Sequence, residues 1–294
     1  MEKDAMTLLA ARAEDWYTAA TKKGIAAGDF LGPAEQSYLN SLAGRIYPEN
    51  ILTFFGGYDE AERRVPVFCT DEYRTRRQKQ RDCAGTDIDW DSIDWEKDDW
   101  WEIPLTKETI GTKETAVTCD EAGIVSLHLR VPKGAQLPGH RDCLGTLMGL
   151  GLERSAVGDI VVLENAVWLF VKDTVAAFLV NSLTRVAKSP VQVEISALPK
   201  DFAVKREYEE MSLTLGSLRA DAVTAAIVGC SREEAKSMVI AGLFRRNYLP
   251  LTEPAFQLAE GDIFSIQGKG RFLFFANKGE TKKGRLRIIL QKYI

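Results

Sequence analysis

The stretch "GDIVVLENAVWLFV" (158–171) predicts two strands joined by a tight turn, and this hairpin decides the fold of the middle of the chain. A short helix is predicted before it at 139–151, and a second follows at 172–186, where apolar residues recur at helical spacing. Further out, 124–131 and 190–195 alternate in polarity as strands do. The order β-α-β-β-α-β predicts a ferredoxin-like arrangement, which RNA-recognition modules share with many unrelated proteins.

Two features of this central segment bear on RNA binding. Trp168 and Phe170 lie two positions apart on one strand, so both point to one face, either as core or interface residues or as a platform for stacked bases. The aromatic motif typical of RNA-recognition strands is absent. His140, Arg141 and Arg154 flank the first helix, where they either form a solvated face or contact phosphates.

The charge of the chain is unevenly distributed. The net charge is −4, yet residues 217–294 carry 13 Lys and Arg against 7 Asp and Glu, a balance of +6. Residues 1–216 carry 25 against 35, a balance of −10. A basic carboxyl-terminal module attached to an acidic body indicates an end that faces nucleic acid.

The amino-terminal segment, 1–65, predicts a helical domain. Apolar residues recur near helical spacing before a stop at Gly24, and Pro33 and Gly44 mark the start and end of a second helix. A Gly-Gly turn then leads into a short strand.

Residues 82–102 form an unusual acidic stretch, with nine acidic residues, one lysine and four tryptophans in no regular period. This stretch is either an exposed loop, or a segment that docks a partner or covers the basic end by mimicking nucleic acid. We expect it to be an insertion in the central domain, 66–200.

The basic module begins with two predicted helices that are close enough in sequence to cross sharply. In the second, "SREEAKSMVIAG" (231–242), Ser231 and Glu234 form a capping-box pattern that fixes the helix start. Arg232 and Lys236 fall about 40° apart around the helix, so they project together. Short strands follow, and the cations of the module are expected to converge on one surface.

This module resembles the S4 RNA-binding domain. The matching positions are Arg219, Asp221, Ser231, Arg232, Ala235, Ile240, Gly242, Asn247, Pro254, Gly261 and Asp262. The chain departs from the S4 pattern at three places: Ala220 replaces a leucine, Arg246 a valine and Tyr248 a turn glycine. The first and third departures are expected to loosen packing or reshape the turn, and Arg246 adds charge.

Three further motifs extend the resemblance to nearly the whole chain except the acidic stretch. "GGYDEAER" (56–63), "HRDCLGTLMGLGLERSAVGDI" (140–160) and "TKKGR" (281–285) resemble the YlmH-type proteins of bacteria and their plastid relatives. In that family a helical domain and an RRM-like domain precede an S4 domain. The resemblance implies binding to the large ribosomal subunit and tRNA, in ribosome-associated quality control of stalled translation.

The sequence therefore predicts an α+β protein with a helical domain at 1–65, an RRM-like domain at 66–200 and an S4 domain, two helices plus a small sheet, at 215–294. RNA phosphates are the anions that a cation-rich surface most plausibly binds. The residues expected to contact RNA are Arg219, Arg232, Lys236, Arg245, Arg246, Asn247, Lys269, Arg271, Lys282, Lys283, Arg285, His140, Arg141 and Arg154.

The expected partners are rRNA, tRNA and the large ribosomal subunit, with no membrane and no DNA, and we expect a monomer. The acidic amino terminus lacks a signal-peptide core, and the chain has no apolar run long enough to span a membrane, which favours a cytoplasmic protein. Five scattered cysteines and two histidines argue against a disulfide framework or a zinc site. No cofactor and no metal are predicted.

No catalytic residue is predicted, because the hydrolase, P-loop, zinc-protease and dinucleotide motifs are all absent. The alternative is an RNA-modifying enzyme of the pseudouridine synthase type that docks its substrate with an S4 domain. Asp142 and Asp221 are the weak candidates for its catalytic aspartate.

Overall fold

The computed structural model describes residues 2–84, 117–132, 134–199, 201–204, 208–281 and 284–294. The chain divides into two compact units, Met1–Phe202 and Ala203–Ile294. None of the helices in the described ranges is long and apolar enough to cross a membrane.

The first unit begins with helices and strands together. Its elements are α1 (Glu2–Lys23), β1 (Ile25–Ala27), α2 (Pro33–Leu42), β2 (Leu52–Phe55) and β3 (Val65–Cys69), with the strands in the antiparallel order β1-β3-β2. The helical domain predicted for 1–65, with a short strand after its Gly-Gly turn, thus also contains two strands that the sequence did not predict, β1 and β2. β1 and β2 have only three and four residues, all half-buried, so neither is long enough to display an alternating pattern.

A basic helix, α3 (Asp71–Ala84), follows β3, and α4 (Cys119–Ala122) precedes the central sheet. From Gly85 onward, the acidic tryptophan-rich stretch predicted at 82–102 lies outside the described residues.

The central segment has the predicted β-α-β-β-α-β order. It consists of β4 (Ile124–Arg130), α5 (His140–Gly149), β5 (Val157–Val162), β6 (Val167–Lys172), α6 (Asp173–Ser182) and β9 (Gln192–Ile195). A small hairpin, β7 (Arg185–Val186) and β8 (Ser189–Pro190), is inserted before the last strand. The four-stranded sheet is antiparallel in the order β5-β6-β4-β9, which places the first and third strands of the motif side by side at its centre.

Both faces of this sheet are covered. One face packs against α5 and α6, where Leu127, Leu147 and Leu179 are fully buried. On the other face, Trp168 is 4% exposed and Phe170 is fully buried. Their position settles the alternative raised by the sequence: these two aromatic residues belong to the interior.

The cover over Trp168 and Phe170 comes from distant parts of the same unit. The ring of Tyr58 lies 4.8 Å from that of Phe170, and Phe202 packs edge-on at 6.0 Å from Trp168. Gly57 allows the close approach, because a Cβ there would come within 2.5 Å of the Phe170 ring. Its φ of +95° also requires glycine.

A partly buried hydrogen-bond network joins the amino-terminal segment to β5. Asp159 accepts hydrogen bonds from the Tyr58 hydroxyl at 2.8 Å and from the backbone N–H groups of Glu62 and Arg63 at 2.7 and 3.0 Å. The Arg63 guanidinium in turn donates to the carbonyls of Phe30, Arg154 and Val157 at 2.9–3.0 Å. The motifs at 56–63 and 140–160 therefore meet in the folded chain.

The second unit is a six-stranded antiparallel sheet with two helices on one face. Its elements are β10 (Tyr208–Leu215), α7 (Ala220–Val228), α8 (Arg232–Ile240), β11 (Phe244–Arg246), β12 (Leu249–Pro250), β13 (Ile263–Ile266), β14 (Gly270–Glu280) and β15 (Leu286–Tyr293). The strand order is β10-β15-β14-β13-β11-β12. Val223 and Val239 of the helices pack with Phe244, Phe264 and Phe272 of the sheet.

The predicted start of α8 is confirmed. Ser231 Oγ accepts from the Glu234 N–H at 3.2 Å, and the Glu234 carboxylate accepts from the Ser231 N–H at 2.8 Å. This is the reciprocal capping box that the sequence indicates. α7 ends at Gly229 in the left-handed conformation, with φ of +79°.

The network around Asp159 makes a testable contribution to stability. In Asp159→Ala, the Tyr58 hydroxyl and two backbone N–H groups lose their acceptor, which is expected to cost about 1–3 kcal/mol of unfolding free energy. Urea unfolding followed by tryptophan fluorescence measures this loss selectively, because all six tryptophans precede residue 203. Glu164→Ala, an exposed acid in the turn between β5 and β6, is the matched control. Equal midpoints for the two variants would contradict the assigned role.

Candidate nucleic-acid interface

The centre of the site is a buried carboxylate between two arginines. Asp221, the second residue of α7, is 3% exposed. It accepts hydrogen bonds from Arg219 Nε and Nη2 at 3.2 and 2.8 Å, and from Arg232 Nη2 at 2.7 Å. Since Arg219 directly precedes α7 and Arg232 is the first residue of α8, one carboxylate holds the amino-terminal ends of both helices together.

The electrostatics of this cluster favour the ionised form of the Asp221 carboxylate. Burial by itself would raise the pKa of Asp221, but the hydrogen bonds and charges of Arg219 and Arg232 outweigh burial and lower it. The hydrogen bond between Arg219 and Asp221 also raises the pKa of Arg219. The side chains of Arg219 and Arg232 remain 37% and 52% exposed. Their unused N–H donors are therefore available to an anion arriving from solvent.

Helix α8 extends this site along one strip. Lys236 lies one turn after Arg232, its side chain is 50% exposed, and its Nζ is 4.0 Å from a carboxylate oxygen of Glu233. Ile240, one further turn along, is 55% exposed. An exposed ion pair at this distance holds the lysine weakly, so Lys236 is free to turn toward a phosphate.

The side chains of Arg246 and Asn247 make contacts with other residues of the same unit. Arg246 Nη2 is 2.6 Å from Asp262 Oδ1, and its guanidinium lies 4.6 Å from the centre of the Phe256 ring. Asn247 Oδ1 accepts from the Ile263 N–H at 3.0 Å. Their predicted place on an RNA-binding surface is not supported by these contacts, which instead fix the turn beside β13.

The predicted cations do not converge on one surface. Paired strand residues share a face, and Arg245 pairs with Ser265, which pairs with Arg271. The next residues along these strands, Phe264 and Phe272, belong to the core beneath α7 and α8. Because side chains alternate along a strand, Arg245 and Arg271 lie on the sheet face opposite the helices. The expectation of a single surface is therefore wrong.

The remaining predicted residues of this unit lie apart from α7 and α8 in sequence. Lys269 is exposed in the turn between β13 and β14. Arg285 is exposed near the start of β15, and its Nη2 donates to the Thr214 carbonyl at 2.9 Å. Lys282 and Lys283 lie outside the described residues.

In the first unit, the three residues predicted to contact RNA have different surroundings. His140 and Arg141 are exposed at the start of α5. Arg154 points inward, and its Nη1 donates to the carbonyls of Val157 and Gly158 at 2.6 and 3.1 Å. Burial, and then the charge of Arg63, lower the pKa of Arg154 to about 10. These contacts do not support the predicted phosphate contact at Arg154, since Nη1 donates to the backbone of β5.

One basic element was missed by the sequence reasoning. Between 73 and 81, α3 has five cations and no acid. Arg76 and Lys79 are exposed, while Arg77 pairs with Glu121 at 2.7 Å. The signal was present in the sequence, but averaging charge over residues 1–216 concealed it.

The two aspartates considered for catalysis both have structural partners. Asp142 Oδ2 accepts from the Gly139 N–H at 3.1 Å at the start of α5. Asp221 is occupied by its two arginines. Each carboxylate therefore has a role in holding a helix start.

The lowered pKa of Asp221 predicts a pH dependence. A carboxylate with a lower pKa in the folded state stabilises above its unfolded value, about 3.9, and loses this contribution as the pH falls through its folded value. Asp221→Asn is expected to lower the unfolding free energy by about 1–3 kcal/mol at neutral pH and to differ less from wild type below about pH 3. Urea titrations followed by the amide NMR signals of 220–240 measure this difference at each pH. The exposed acid change Glu233→Gln is the control, and a deficit independent of pH would contradict the ionic role.

Comparisons with known proteins agree with the motifs in the sequence. Residues 123–200 match the family model described as "Putative RNA-binding domain in YlmH". The ribosome-associated protein quality control protein P2 of Bacillus subtilis (strain 168) is 30% identical over 264 residues, which cover 90% of this chain and 86% of that protein. The solved structure of the cell division protein ylmH from Streptococcus pneumoniae matches at 14% identity with a TM-score of 0.38, covering 66% of this chain and 87% of that one. On the identity and coverage of the Bacillus relative, the chain belongs to the YlmH family.

Proposed function

We propose that this protein is a non-enzymatic RNA-binding factor that engages the large ribosomal subunit, tRNA or both during quality control of stalled translation. The observation that carries the proposal is the cluster of Arg219 and Arg232 on Asp221, continued by Lys236 along α8. The name of the Bacillus relative and the RNA-binding family model support the same role.

The geometry of the cluster suits phosphate binding. Asp221 uses part of each guanidinium and fixes its orientation, so less side-chain entropy is lost when a phosphate binds the remaining donors. Charge-assisted hydrogen bonds from arginine to phosphate are among the strongest in proteins. The three groups together carry a net charge of +1, and Lys236 adds a further cation.

The proposal also assigns three modules along the chain. We assign residues 215–294 as an S4 module, whose characteristic aspartates, Asp221 and Asp262, act as internal acceptors for arginines. We assign 66–200 as an RRM-like module that offers His140 and Arg141 as a second contact. The amino-terminal segment, 1–65, is a third module packed on the second through Arg63 and Asp159.

Salt dependence provides the first test. If about four phosphates are neutralised, the slope of log affinity against log salt is expected to be near −3. Arg232→Gln with Lys236→Gln removes two cations without placing a new acid beside Asp221, and is expected to make the slope shallower by about 1.4–1.8. The measurement is fluorescence anisotropy with purified tRNA, together with co-sedimentation with large ribosomal subunits.

The matched control is Arg185→Gln with Lys188→Gln, which removes the same charge from the exposed hairpin of β7 and β8. An unchanged slope in the α8 variant, or an equal change in the control, would contradict the proposed site. A modified nucleoside formed in rRNA or tRNA by the purified protein, detected by mass spectrometry, would favour the RNA-modifying alternative.

A further inference from the structure

The sheet face opposite α7 and α8 carries a row of aromatic and cationic side chains. Tyr208 pairs with Tyr293 across β10 and β15, and the Arg271 guanidinium lies 4.0 Å from the centre of the Tyr293 ring. Arg271 pairs with Ser265, and Ser265 pairs with Arg245. Five neighbouring strands thus place these five residues in one line across the sheet. At about 4.8 Å between strands, the line is roughly 19 Å long.

The centre of this row is held rigidly. Besides stacking on Tyr293, Arg271 lies 5.9 Å from the centre of the Tyr248 ring, and its Nη1 is 3.4 Å from the Tyr248 hydroxyl. Tyr208 packs edge-on against Tyr293 with ring centres 5.0 Å apart. Stacked guanidinium and aromatic groups of this kind lose little freedom when another planar group is added.

Tyr248 itself occupies a strained position. It is the second residue of the two-residue turn between β11 and β12, with φ of +69°, after Asn247 with φ of +46°. Such turns favour glycine at this place, and a bulky residue with positive φ costs of order 1–3 kcal/mol. Strain of this kind persists where the surrounding structure over-determines the backbone. Here it places the Tyr248 ring against Arg271.

Both ends of the row are open to solvent, and the end at Arg245 is positively charged. Arg245 is exposed, Lys269 is exposed in the turn that precedes Arg271, and Tyr208 is 36% exposed. The same face thus offers cations for a phosphate backbone and exposed aromatic surface for planar groups. Unpaired nucleotides present both of these features, whereas duplex RNA hides its bases.

We propose that this face, defined as Tyr208, Arg245, Tyr248, Lys269, Arg271 and Tyr293, binds a short single-stranded RNA segment. A base stacks on Tyr208 and on the layered Arg271 and Tyr293 pair, and phosphates contact Arg245 and Lys269. The inference rests on the proposed RNA-binding function and adds a second site that is independent of the α8 strip. The protein then holds structured RNA on one side of the sheet and an unpaired segment on the other.

The test uses the full-length protein and a fluorescein-labelled oligouridine of about eight nucleotides, a length within the range of single-strand sites. Tyr208→Ala with Arg245→Gln is expected to weaken binding of this probe at least fivefold. Tyr208→Phe, which keeps the ring, is expected to bind as wild type does. Phe178→Ala with Arg185→Gln removes an exposed aromatic and an exposed arginine from the first unit and is the matched control.

Binding of tRNA separates this inference from the proposed function. The sheet-face variant is expected to retain tRNA affinity within about twofold, whereas the α8 variant is expected to lose tRNA affinity and retain the oligouridine. Oligouridine binding that depends on α8 alone would overturn the second site and leave the proposed function standing. The second site would also be overturned if wild type failed to bind the oligouridine, or bound a synthetic peptide of residues 82–102 at this face instead. NMR amide spectra confirm that each variant is folded.

Discussion

The carboxylate of Asp221 is the constraint on which the candidate interface depends. A buried carboxylate is costly unless its oxygens receive strong hydrogen bonds, and among the described residues Arg219 and Arg232 supply the charged donors. Satisfying it therefore requires the starts of α7 and α8 to lie together. The same requirement orients two guanidinium groups that remain partly exposed. Stability and the presentation of cations are thus consequences of one interaction.

A similar device stabilises the first unit. Asp159 there receives donors from Tyr58, Glu62 and Arg63, and Arg63 is buried enough that loss of hydration lowers its pKa. The residues that supply these contacts come from two motifs almost a hundred positions apart in the sequence. Their pairing depends on Asp159 as an acceptor, on Arg63 as a donor to carbonyls, and on the close backbone approach that Gly57 allows.

Much of the architecture could be predicted from the sequence because its elements are long and periodic. The hairpin of β5 and β6, the helices α5 and α6, and the capping box of α8 all follow from local signals. β1 and β2 could not be predicted, since three or four residues do not display a period. The candidate site was harder to predict, because successive residues of a strand, such as Arg245 and Arg246, lie on opposite faces of the sheet. Arg154 shows the other limit: the sequence reveals a cation there but not that its Nη1 donates to the carbonyls of Val157 and Gly158.

The aromatic cover over β6 has a consequence for how the first unit can recognise RNA. Modules of this topology commonly bind single-stranded bases on one face of their sheet. Here Tyr58 and Phe202 pack on that face, against Phe170 and Trp168. Displacing them would expose Trp168 and Phe170 and cost the burial of four rings. In the described part of the first unit, a base therefore reaches Trp168 and Phe170 only after Tyr58 and Phe202 have moved away.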